Sequence, residues 1–475
     1  MAVVSSNTKD VTGGAVTEEH PEYILKKPDY QLMRDCVDGE TVIKARGKDY
    51  LPMPDGFNAQ EDGGISMYRS YMERAQFPEM LSPMITGMLG VIHRREAQIE
   101  GLTGDLEYLW EKATPSGLTL ESFHRKITEE ILTVGRVGIY TDSPPAERGG
   151  GDPLFSLYTA ESIINWSDEG DYFVLRELVR ERTKYSWEEN YQYRILSIEN
   201  GRYTVERVNH DDSTIGGQII PTAQGDTALT EIPFVVAGSR DISLTPDQIP
   251  LLGVGRASKS IYQLNADYRH QLFMSGQETL YISGVSIEDA PKYVGAGVIV
   301  AIPDTGGVLG YASPSGTGIQ AHRFAIMDER QNAVSAGSRV METGERGAES
   351  GDALRMRARQ STATLLSIAL SSAAALERSL RYVAKIKGKD PETIIVKPNL
   401  DFIDTPLTAA EVKVLMDMWV AKAISYETLY ENMRRGEISS TERTAKQEQA
   451  LITSEPYSPA EQKESLDLGG GGGGA

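Results

Sequence analysis

GERGAESGDALRMRARQ, residues 344–360, interrupts helical sequence with Gly344, Gly347 and Gly351, then resumes at Asp352 with Arg355, Arg357 and Arg359. Downstream, Leu365, Ile368, Ser372, Leu376, Leu380, Val383 and Ile386 recur at three- and four-residue steps. That spacing predicts one apolar stripe along a long helix over 353–387. Gly388 ends the pattern, and Pro391 lies beyond it. Upstream, residues 322–342 are also helical in spacing. A glycine-studded break between two long helices suits a plain connector with solvated arginines. It equally suits a mobile loop whose basic end meets phosphate. The free N–H groups of a helix N-terminus favour an anion, but Asp352 is placed to cap that end itself. The residues of this stretch leave the two readings level.

The rest of the chain narrows the choice. Its 475 residues suffice for about three domains. A core of that size needs no disulfide, and the single Cys36 permits none within the chain. One free cysteine fits a reducing compartment and a packing role. The opening MAVVSSNTKDVTGG lacks the basic and apolar regions of a signal peptide. No run approaches the ~20 apolar residues that span a bilayer. The net charge is −20, which excludes a protein that coats nucleic acid by bulk attraction.

Residues 1–29 are polar and glycine-containing and read as a flexible arm. Residues 66–98 have helical spacing, broken or kinked at Pro78 and Pro83. Residues 118–134 read as an amphipathic helix ended by Gly135, with a buried strand after it. Between 153 and 240 the period changes to two. Residues 173–179, 191–198 and 202–208 are strands, with Asn200-Gly201 as a hairpin turn and 168–171 as a second turn. Residues 250–277 return to helical spacing, and 279–320 are glycine-dense with short strands. Residues 405–450 hold two or three helices, one opened by a capping box of Thr408 and Glu411. The six glycines of the terminal LDLGGGGGGA do not offset their ordering entropy. The fold class is α+β.

Chemistry is harder to find. His20, His93, His124, His210, His270 and His322 show no metal-ligand spacing. No phosphate loop and no nucleophile elbow are present. The GVGR of 253–256 lacks the strand–turn–helix context of a nucleotide site. Asp211-Asp212 reads as an exposed turn, and Glu129-Glu130 as the solvated side of a helix. Paired carboxylates that meet only in three dimensions stay open.

The order of these pieces resembles the portal proteins of tailed bacteriophages, in particular a portal family long described only as a domain of unknown function. The resemblance runs from about residue 30 to 455. It is carried by DYQLMRDCVDGETVIKARGKDYLP (29–52), YRSYMERAQFPEMLSPMITGMLGVIHRR (68–95) and LESFHRKITEEILTVGRVGIYTD (120–142). IPFVV (232–236), MSGQETLYISG (274–284) and SPSGTGIQAHRFAIMDERQNAVSAGSRVME (313–342) continue it. None of these is a catalytic motif; their order is what carries the likeness.

The resemblance implies a portal fold: a wing over 30–248, stem helices over 249–278 and 322–343, and a small α/β clip over 279–321. A tunnel loop over 344–351 follows, then a long wing helix and return strand over 352–404. A short helical crown over 405–457 and a disordered tail over 458–475 complete it. It further implies a dodecameric ring at one capsid vertex that serves as a conduit for packaging and ejecting double-stranded DNA. The tunnel loop would be Gly344, Glu345, Arg346, Gly347, Glu349 and Gly351. Lys259, Arg330, Arg339 and Arg355 would face the channel. Glu288, Asp289, Lys292 and Asp304 on the clip would contact the terminase large subunit and later the head–tail connector. The major capsid protein, and a scaffolding protein where present, would meet the wing. No cofactor, metal, catalytic residue or membrane is implied, and the location is the virion, after assembly in the host cytoplasm. Glycines let such a loop flex free of β-carbon restrictions. An acidic protein with few basic rings lets DNA slide, because screened phosphate contacts are weak. Two rivals remain: an α+β hydrolase with carboxylates distant in sequence, and another head–tail connector, a class usually much shorter than this chain.

Overall fold

The computed structural model describes residues 14–59, 62–142, 151–215, 217–223, 227–276, 279–284, 286, 306–312, 317–341, 351–400, 402, 409–435, 438–439 and 443–454. The chain divides into two units, residues 1–400 and 401–475. In the first unit, the chain begins with α1 (Pro21–Asp38), α2 (Glu40–Ala45), α3 (Ile65–Arg74) and α4 (Leu81–Ile92). Then come β1 (Gln98–Glu100), α5 (Tyr108–Glu111), α6 (Leu120–Val134), β2 (Arg136–Asp142), β3 (Leu154–Thr159) and β4 (Ile163–Trp166). The strands β5 (Tyr172–Thr183), β6 (Ser186–Glu199), β7 (Arg202–Asn209), β8 (Thr222–Ala223), β9 (Thr227–Ala228) and β10 (Phe234–Gly238) follow. Last are α7 (Leu252–Ser275), β11 (Thr279–Ser283), β12 (Val308–Ala312), α8 (Thr317–Met341), α9 (Gly351–Ile386) and β13 (Ile395–Lys397). The second unit holds α10 (Ala409–Val420), α11 (Tyr426–Arg435) and α12 (Ala445–Ser454). The fold is α+β.

The core forms where α6 and α9 clasp a three-stranded antiparallel sheet ordered β10-β2-β3. Thr119 caps α6 by accepting from the Ser122 N–H at 3.2 Å, and Gly135 ends it at φ +72°. Only glycine takes that left-handed turn cheaply, and it feeds the chain straight into β2. The expected stripe of α9 is buried throughout, from Leu365 to Ile386. On the same helix Ser367 and Ser371 donate to the carbonyls of Ser239 and Gly238 at 3.0 and 2.8 Å. They tie α9 to the end of β10. A second sheet, ordered β4-β5-β6-β7, meets the first through a hydrogen bond from Tyr203 Oη to Tyr140 Oη at 2.9 Å. Asn200 and Gly201, at φ +52° and +75°, turn β6 into β7 as the Asn-Gly pair predicts.

Several boundaries differ from expectation. The arm expected over 1–29 gives way to α1 at Pro21, because Tyr23, Tyr30 and Met33 are fully buried. His20 caps that helix, and its ring stacks on Trp166 at 4.0 Å. Pro83 sits inside the first turn of α4, where a missing N–H costs little. The helix expected from residue 322 begins five residues earlier, at Thr317. Gly351 opens α9 instead of closing a loop, which puts Asp352 in the first turn and not at the cap. Strands β5 and β6 run well past residues 179 and 191, joined by a two-residue loop at Lys184 and Tyr185 with no glycine to mark it. Thr408 and the terminal glycines lie outside the described residues.

Candidate assembly surface

Helices α7 and α8 pack antiparallel. Gly253 lies beside Ala336 near one end, and Gln271 Nε2 meets His322 Nε2 at 3.2 Å near the other. A Cβ on Gly253 would stand 3.1 Å from that of Ala336, and one on Gly255 would stand 2.8 Å from Met33 Sδ. The two glycines of GVGR therefore serve close helix contact rather than phosphate. Cys36 is buried at the same place, its Sγ 3.7 Å from the Gly255 carbonyl. Burial pushes the Cys36 thiol up to about 12.

The first turns of α7 sink into the first unit through Val254, Ala257, Ile261, Tyr262 and Ala266. Its last turn emerges, leaving Leu272, Phe273 and Met274 exposed. Among the described side chains of α8, only Ile326, Ala333 and Gly337 are buried. Those form one narrow seam against α7. The opposite side presents Phe324 at 61 % exposure, with Met327 and Val334. Beyond the helices, β11 and β12 pair antiparallel from Thr279↔Ala312 to Ser283↔Val308. Tyr281, Val308 and Tyr311 of that ribbon are exposed as well. Among the described residues this ribbon has only two strands, and a two-stranded ribbon with exposed apolar side chains is marginal in water. So many large apolar groups on one excursion make it a candidate contact surface.

Of the charges expected along a channel, Arg330 is exposed on α8. Lys259 lies over the Tyr50 ring at 5.1 Å, in a groove of about 430 Å³ shared with Arg46 and Arg256. Arg339, Gly351 and Arg355 have helical backbones. Gly344, Glu345, Arg346, Gly347, Glu349, Glu288, Asp289, Lys292 and Asp304 lie outside the described residues.

Other groups meet that the sequence keeps apart. His93, at the C-cap of α4, and His124 of α6 touch ring to ring. Arg34 of α1 pairs with Glu161 at 2.8 Å and with Glu130. Glu130 is thus an ion-pair partner and not a solvated side chain, although Glu129 pairs only with exposed Lys126. Burial alone would lower the Arg34 pKa, but the hydrogen bonds it donates to Glu130 and Glu161 hold it above the usual range. Arg136 is buried with its guanidinium 4.0 Å over Trp166, and it donates to the Leu244 carbonyl at 2.9 Å. Glu121 and Glu96 share a hydrogen bond that raises Glu121, yet both are exposed and lie away from the described cavities. Asp211 turns on Ser213, and Asp212 accepts from the Val16 N–H at 2.8 Å; the pair is a turn. Among the described residues no cluster of three metal-ligating side chains occurs, and no helix is long and apolar enough to cross a membrane.

Residues 250–386 match a family model described as Domain of unknown function (DUF4055). The matched segment starts two residues before α7 and ends on the last residue of α9. It therefore spans the helix–ribbon–helix excursion and the long helix as one stretch. No curated protein matches the chain. Among solved structures, a chain in the neck of an empty GTA particle computed with C6 symmetry is similar at 13 % identity. That similarity covers 76 % of this chain and 91 % of the other, with a TM-score of 0.39. A chain in the virion of a native gene transfer agent (GTA) particle is similar at 14 % identity. It covers 85 % and 100 % of the two chains, with a TM-score of 0.37.

Proposed function

We propose that this chain is a phage portal subunit: a structural protein of the virion, about twelve copies of which form a ring at one capsid vertex. The ring passes double-stranded DNA inward during packaging and outward at ejection. One observation carries the reading. The antiparallel α7/α8 pair and its terminal ribbon leave Phe324, Met327, Tyr311 and the last turn of α7 bare to water. Side-by-side copies around a closed ring would cover those side chains, since each protomer meets two neighbours through unlike faces. The resemblance in the order of sequence stretches supports the same reading, as does the net charge of −20 in a passage that must not grip its cargo.

In this reading α7 and α8 are the stem, β11 and β12 the root of the clip, and residues 342–350 the tunnel loop. The terminase large subunit and then the head–tail connector dock at the clip. The major capsid protein, and a scaffolding protein where present, meet the wing. No bond-making step belongs to the chain. The hydrolase alternative has no observation in its favour among the described residues, where the hydrogen-bonded carboxylate pair of Glu96 and Glu121 is solvent-exposed.

Negative-stain imaging of the purified protein tests the proposal. Rings with a central hole and about twelvefold symmetry are expected; small particles without a hole overturn it. A finer test replaces Glu345 and Arg346 with Ala. Intact rings with altered DNA packaging or retention are expected, and unchanged packaging removes the loop from the proposal.

A further inference from the structure

Among the described residues, strands β5 and β6 form the longest hairpin, and its outer half pairs with no further strand. β4 pairs with β5 only as far as Leu175, and β7 pairs with β6 only from Gln192. From Leu178 to Tyr191 the two strands pair only with each other among the described residues, a reach of about 17 Å at strand rise. Every residue from 180 to 190 is exposed. Such an arm is marginal in water unless something covers it.

The register divides the arm into two unlike faces, because directly opposed residues in an antiparallel pair share a face. One face carries Leu178↔Tyr191, Arg180↔Glu189 and Arg182↔Trp187. Trp187 is 64 % exposed there, and Arg176 lies 5.4 Å under the Tyr191 ring. Tryptophan, tyrosine and arginine together are the side chains that dominate binding energy at protein interfaces. The other face carries Val179↔Asn190, Glu181↔Glu188 and Thr183↔Ser186, with no aromatic residue. Glu181 and Glu188 face each other directly, and like charges so placed destabilise a hairpin. Arg180 is neutralised by Glu189 at 2.8 Å. Among the described residues, Arg182, Glu181 and Glu188 have no ion-pair partner.

We infer that the arm is an arm-on-arm clasp between copies of this chain. The basic aromatic face of one arm lies on the acidic face of the next. Arg182 then sits over the Glu181–Glu188 pair of its neighbour and relieves a repulsion that the single chain leaves standing. Trp187 and Tyr191 are covered by the same contact. The two faces are complementary but different, so the contact is head-to-tail and propagates around a ring. Edge-to-edge strand addition is disfavoured, because the outer halves of β5 and β6 are densely charged and charged edge strands resist pairing. The inference rests on the proposed ring only in needing neighbouring copies.

The test uses full-length protein carrying Trp187→p-benzoylphenylalanine, mixed from isotopically light and heavy preparations, irradiated and mapped by mass spectrometry. Mixed light–heavy adducts within residues 179–190 are expected. Adducts confined to one chain, or on any other surface of a second copy, overturn the clasp. Arg182→Glu should cut the mixed adducts at least tenfold, and Arg182→Glu combined with Glu181→Arg and Glu188→Arg should restore them. Failure of the triple variant to restore them also overturns the proposal. All these positions are exposed, so an unchanged thermal melt verifies that the variants fold. Rings in micrographs without arm adducts refute the clasp and leave the portal reading standing. Arm adducts without rings do the reverse.

Discussion

The imidazoles of His93 and His124 meet edge to face, 4.8 Å between ring centres and 79° between planes. His93 Nε2 lies 2.8 Å from Thr128 Oγ1, and His124 Nε2 lies 3.3 Å from Ser372 Oγ on α9. Burial drives both toward the neutral form, His93 to about 4 and His124 to about 3. Arg125 adds to the effect on His93, and His93 adds to that on His124.

Acid should therefore loosen the junction of α4, α6 and α9. Both folded values lie below the unfolded value of 6.5, so the unfolded chain binds more protons. Stability is full above about pH 6.5 and falls as pH drops toward 4 and then 3, by on the order of 3 kcal/mol per imidazole. Denaturant titrations at pH 7, 5.5 and 4.5 measure the slope. His93→Asn with His124→Asn should flatten it, and an unaltered slope in that variant would assign the acid sensitivity elsewhere.

Gly138, in the central strand β2, lies under the Phe234 ring. A Cβ there would come within 2.4 Å of Phe234 Cζ and 2.9 Å of Ile163 Cδ1. Gly138→Ala should cost about 1–3 kcal/mol through overpacking, read as a lower Tm. Adding Phe234→Leu should recover part of the loss; no recovery would mean that the strain lies elsewhere.

Leu376 and Leu370 sit on the same helix but in different surroundings. Leu376 is fully buried in α9, whereas Leu370 is 46 % exposed. Leu376→Ala should destabilise the chain by about 2–5 kcal/mol, and Leu370→Ala should change it by no more than about 0.5 kcal/mol. Equal effects in thermal melts would contradict the orientation of α9.

Phe324 and Met327 test the proposed contact surface of α8. Phe324→Ser with Met327→Ser removes exposed apolar area and should leave the melt of the isolated chain unchanged. Sedimentation velocity should show the oligomer shifted toward single chains at equal concentration. If rings persist undiminished, that side of α8 is not the contact between copies.

Legibility in the sequence followed the range of the interaction. The α9 stripe, the Thr119 cap, the Gly135 stop and the Asn200-Gly201 turn all depend on residues within a turn or two, and each was readable. The start of α1 was not, because Pro21, Pro28 and a run of charges mask a helix held by distant burial of Tyr23 and Tyr30. The outer half of the β5–β6 hairpin was missed for the opposite reason: its strands run charged residues together, at 180–182 and 188–189, and its loop carries no turn signal.

By itself, the amino-acid order determined the α+β class, the long helices on either side of a glycine-rich excursion, and a charge unsuited to wrapping nucleic acid. Those follow from periodicity, turn chemistry and net charge, which are local or additive. Only the tertiary structure decided that His93 touches His124, that Arg34 binds both Glu130 and Glu161, and that α8 buries one narrow seam among its described side chains. Such contacts join residues from 30 to more than 100 positions apart, and closing those loops depends on the whole core forming at once.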